Sequence, residues 1–97
     1  MEYKLKYPIV VEAENDKPAY KIEKLVFPDR IKTKFAKLIP NDAFETGAIN
    51  PAIYADMIGR MAGIERYINE LDYFDLVGIV KEVINPFLLE LESQNGM

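Results

Sequence analysis

The stretch that most constrains this chain runs from Asn50 to Ile64, NPAIYADMIGRMAGI. Asn50 can cap orphan amides, and proline at the first helical position sacrifices no hydrogen bond, so the spacing predicts a helix over 51–62. Gly63 suits the left-handed residue that ends it. At 100° per residue, Ile53, Tyr54, Met57, Ile58 and Met61 form a broad apolar arc, continued by a second arc of small residues, Ala52, Ala55, Gly59 and Ala62. Only Asp56 and Arg60 make a polar strip, four residues apart and able to pair. A chain of 97 residues, 49% of them hydrophobic, forms one small domain that buries about 60 to 65% of its unfolded surface. A helix apolar on two sides needs cover on both. Methionine pairs commonly fill cores, yet they also adapt to irregular partners. The small arc invites close approach by another helix. Ile53, Met57, Ile58, Gly59 and Met61 are therefore the expected contact residues for a partner or for a second copy.

The rest of the chain supplies an α+β frame, one domain over 1–97, with an N-terminal β-hairpin on a bundle of three or four helices. Tyr3, Leu5, Tyr7, Ile9 and Val11 alternate with Lys4, Lys6, Pro8, Val10 and Glu12, the period-two pattern of a half-buried strand. Pro8 places that strand at an edge or a bulge. AENDKP is a polar turn, and Tyr20 to Phe27 returns, so 3–27 reads as a hairpin whose alternation slips at Glu23-Lys24. Asp29 is expected to cap a short helix over 29–39 that carries Ile31, Phe35 and Leu38 on one side. Asn41 to Ile49 reads as a loop. Asp72 caps a last helix, 73–92, with Asp75 three residues on in a weak capping-box relation. Its apolar face keeps phase from Leu76 to Leu91 across Pro86, predicting either a kink with the proline outside or a break, and 93–97 is expected to fray.

Missing side chains narrow the chemistry. The sequence has no Cys, His or Trp, and its one serine is Ser93. Nucleophile–imidazole pairs and ordinary zinc sites cannot be assembled from it. Glu12, Glu14 and Asp16 lack the ordered ligand spacing of a calcium loop and read as a solvated hairpin tip. The expectation is a protein that is not an enzyme and takes no metal or cofactor. No run approaches the roughly 18 apolar residues of a membrane span, and the amino terminus has no signal-peptide pattern, so the chain reads as cytoplasmic.

Charge is distributed unevenly. Residues 1–40 carry nine Lys/Arg and six Asp/Glu, a balance of +3, whereas 41–97 carry three and ten, a balance of −7; together these give the net −4. The halves should attract, within one chain or between copies. Arg30, Lys34 and Lys37, with Lys32 nearby, form a basic strip. Phosphate contact through it would make the chain a small DNA-binding regulator, but the acidic total and the lack of a recognition-helix pattern favour a solvated or acid-facing strip.

The order of these features resembles the Mu-like phage tail assembly chaperones. The resemblance rests on Pro8-Ile9-Val10 in the first strand, Leu25-Val26-Phe27-Pro28 closing the second, Ala62-Gly63-Ile64 ending a helix, and Leu71-Asp72-Tyr73-Phe74-Asp75 opening the last one. It spans most of residues 3–91. It implies a non-enzymatic protein that coats the phage tape measure protein while the tail tube polymerises and is later displaced, with a longer frameshifted form often made. Self-association into a homo-oligomer is expected. A rival of another class is a tail completion or connector subunit that stays in the finished particle.

Overall fold

The computed structural model describes residues 1–40 and 50–95, with side chains through Leu91. Two antiparallel strands, β1 (Glu2–Val11) and β2 (Tyr20–Val26), open the chain. A single helical turn follows, α1 (Thr33–Ala36). Next come a 3-10 turn, Pro51–Tyr54, and α2 (Ala55–Ala62). A 3-10 segment, Glu65–Glu70, leads to the last helical rod: α3 (Tyr73–Ile79), a π-helical turn Val80–Ile84, and α4 (Asn85–Asn95). The expected α+β class is the observed one, an antiparallel hairpin laid on helices.

The hairpin turns through Asn15-Asp16, where Asn15 takes a left-handed φ of 44° that asparagine tolerates well. Its ladder is broken in the middle. Lys4 pairs with Lys24 and Ile9 with Ile22, so four residues of β1 face the single residue Glu23. The slip expected at Glu23-Lys24 therefore sits there, with the surplus residues carried by β1, where Pro8 has no amide to offer a ladder. Tyr3, Leu5, Ile9 and Val11 still point into the core. Tyr7, expected to point inward with them, is 54% exposed, because the surplus residues rotate it out of phase.

Asp29 does not cap a helix. Its carboxylate takes the amino terminus at 3.2 Å, so the helix expected over 29–39 shrinks to α1, preceded by Lys32 in extended conformation. Ile31, Phe35 and Leu38 still pack, half-buried, on the core. At the end of α2, Gly63 adopts φ 70°, the Ile64 amide bonds the Gly59 carbonyl at 2.8 Å and the Gly63 amide bonds Arg60 at 3.4 Å, the paired bonds of a Schellman stop.

The last rod passes Pro86 without breaking. Proline supplies no donor and its ring crowds the preceding turn. A π-turn just before it, with the Asn85 amide reaching the Val80 carbonyl, absorbs the misfit, and Pro86 stays on the exposed side. Helix continues to Asn95, past Ser93 where fraying is expected; residues 96 and 97, like the whole loop expected over 41–49, lie outside the described residues.

Candidate partner-binding site

The helix singled out by its sequence is enclosed by its own chain. Met57 and Ile58 have no exposed surface, Met61 and Gly59 are buried, and Ile53 is half-buried against the core. Gly59 supplies the physical reason. A Cβ placed there would lie 3.2 Å from Ile68 Cβ and 3.5 Å from Glu65 Cα, so the small-residue arc admits the chain's own 3-10 segment, Glu65–Glu70, at backbone range. The segment that approaches the small-residue arc at Gly59 belongs to the same molecule. Met57, Ile58, Gly59 and Met61 are thus buried in the chain's own interior, and Ile53 packs half-buried against it.

Arg30, Lys34 and Lys37 are all exposed. They do not share a helix face, since Arg30 precedes α1 and Lys37 follows it. Lys34 sits over the Phe35 ring, 4.9 Å from its centre.

A different surface has the shape of a binding site. Between the exit of β2 and the last rod lies a groove of about 380 Å³. Ile31, Val83, Pro86, Phe87 and Leu91 give it apolar walls; Asp29, Arg30, Glu82 and Glu90 stand around them. The volume is at the small end of ligand-sized clefts and suits a few large apolar side chains. Local sequence explains it. The π-turn and the exposed Pro86 interrupt the regular packing of the rod, and the non-helical path from Pro28 to Lys32 forms the facing wall. A second depression, about 780 Å³, lies over the broken ladder, but Lys4, Lys21, Glu23 and Lys24 give it a mostly charged rim.

One buried carboxylate organises the other end of the rod. Asp75 is fully buried, and its two oxygens accept the Lys6 amide at 2.9 Å and the Tyr7 amide at 3.0 Å, the donors that the broken ladder leaves over. Asp72 performs the capping, accepting the Phe74 amide at 2.9 Å. The second aspartate, expected in a capping-box relation to the first, instead ties helix to hairpin across 68 residues of sequence. The signal in the sequence was the pair of aspartates; the missed part was their division of labour. Beside this tie, Tyr3 lies against Gly78: a Cβ there would be 3.0 Å from the phenol Cζ and nearer still to its oxygen. Burial first, then the negative charges of Asp75 and Glu82, push the Tyr3 phenol above its ordinary pKa.

Among the described residues no three His, Cys, Asp or Glu side chains gather to hold a metal ion, and no helix is long and apolar enough to cross a membrane. Compared with family models, curated proteins and solved structures, the chain matches none.

Proposed function

We propose that this chain is a non-enzymatic assembly chaperone of the phage tail kind, working in the host cytoplasm as several associated copies that hold helical, apolar segments of a tape measure protein. The groove at Ile31, Val83, Pro86, Phe87 and Leu91 supports this reading most directly, because it presents a half-covered apolar strip along a long helix. An amphipathic helix can lay its apolar face in such a strip. Its rim is of mixed charge, Glu82 and Glu90 beside Arg30, so charged positions of either sign flanking a segment's apolar face can be met there. Client contact is thereby assigned to the groove and not to Met57 and Met61. The ordered resemblance from Pro8 to Asp75 supplies the identity of the client.

Co-expression with the tape measure protein tests the role. The client should be soluble and co-purify with the wild-type chain, and should lose it with Phe87→Asp, while Leu89→Asp, an exposed change outside the groove, should leave capture intact. A client that is equally soluble and unbound without this chain refutes the role. Undiminished capture by a folded Phe87→Asp protein refutes the groove.

A further inference from the structure

Among the described residues the basic and acidic halves are little joined by ion pairs, although Arg30 shares the groove with Glu82 and Glu90. Four ion pairs join described residues: the amino terminus with Asp29, Lys24 with Glu2, Arg60 with Asp56, and Arg66 with Glu14. The only one that crosses the halves runs the wrong way, a cation of the acidic half holding a carboxylate of the basic half. Arg30, Lys32, Lys34 and Lys37, four exposed cations within eight residues, have no ion pair among the described residues. At the start of the last rod the converse surface protrudes. Glu65 and Glu70 are exposed, Asp72 is half-exposed, and they are followed by Tyr73 and by Phe74, which at 72% is the most exposed large apolar side chain described. Tyr73 and Phe74 thus form an exposed aromatic pair beside these carboxylates.

The Arg30 end of the basic segment and Phe74 lie apart in one chain. Arg30 shares the groove with Phe87, thirteen residues beyond Phe74 along the rod, and a helical rise of 1.5 Å per residue puts about 20 Å between them. The molecule is correspondingly elongated, 54 × 25 × 20 Å. A second copy can bring them together. We infer that copies associate head to tail, the acidic–aromatic knuckle Glu70–Phe74 of one docking on the basic segment Arg30–Lys37 of the next. Carboxylates would face lysines and arginine, and the rings of Tyr73 and Phe74 would offer faces to the same cations, contacts that strengthen as water is excluded. Because the two patches differ, the contact is heterologous: it closes into a ring or extends as a filament, according to the rotation between neighbours. A nucleic-acid role for the same cations is less favoured by the net charge of −4 and by the single turn of α1, too short to serve as a recognition helix.

This contact rests on the self-association included in the proposed function, so the experiment separates the two. Molar mass is measured by light scattering at low salt and at about 0.5 M salt, where the Debye length is only about 4 Å. The wild type should exceed its 11.1 kDa monomer mass at low salt and fall toward it at high salt. Lys32→Glu/Lys34→Glu and, separately, Glu70→Lys/Phe74→Ala should each weaken association by at least about tenfold, both pairs being exposed and the folds verified by circular dichroism. Mixing the two variants should restore a complex, since each retains one intact partner surface. A wild type that is monomeric at every salt overturns both the contact and the self-association; salt-sensitive binding of duplex DNA by that monomer would reassign the cations. A wild type that associates while both variants associate equally well overturns the contact alone.

Discussion

α2 and the last rod make an instructive pair, because their sequences are similarly apolar and their fates differ. α2 meets its own chain on both arcs: core residues cover Met57 and Ile58, and the turn held by Gly63 folds Ile68 back onto Gly59. The rod has no such return. It is pinned at one end by Asp75 and interrupted near the other by Pro86, and there its apolar face stays half open. Excess apolar character in a helix therefore signals a partner only after the following segment has been asked whether it folds back.

The largest effect expected to test that contrast is at the pinned end. Asp75→Ala would leave the Lys6 and Tyr7 amides without their acceptor and a void at a fully buried site. The loss should be about 3 kcal/mol in urea unfolding, with Asp75→Asn intermediate, because an amide oxygen satisfies one donor. A change below about 1 kcal/mol would mean that the tie is not made. Met57→Ala should cost about 3 kcal/mol of stability while leaving client capture by the still-folded fraction unchanged. The reverse pattern, stable protein without capture, would return α2 to the role of contact surface.

Phe87→Asp, on the open strip, should cost about 2 kcal/mol, since the ring is only partly exposed and packs on the core, while abolishing capture by the still-folded fraction. At alkaline pH the pinned end should be visible through Tyr3. Its pKa is raised in the folded state, so its contribution is fully present below the unfolded value near 10.0 and is lost as pH rises through the folded value. Stability should decline above about pH 10, and Tyr3→Phe should flatten that decline; an unchanged slope would remove Tyr3 from the account. Smallest of all, Arg66→Ala removes an exposed ion pair with Glu14 and should shift stability by no more than about 0.5 kcal/mol.

Much of the frame was legible because it depends on short-range rules. Alternation placed Tyr3, Leu5, Ile9 and Val11 inward, Pro8 and the phase slip marked the broken ladder, Gly63 marked the helix stop, and the rod kept phase past Pro86. What escaped depends on encounters distant in sequence. Asp29 was committed to the amino terminus, Asp75 to strand amides, and Gly59 to Ile68, and no local spacing reports any of these. The groove escaped for the same reason: it is the gap between Ile31 and Phe87, two elements whose separate patterns look complete.

Hydrogen–deuterium exchange of the chain with and without the tape measure protein tests the central claim most directly. Bound client should slow exchange over 28–32 and 82–91, the two walls of the groove, and leave α2 as it was, its amides being protected already by the chain's own packing. Client-dependent slowing confined to α2, with the groove walls unchanged, would contradict the account.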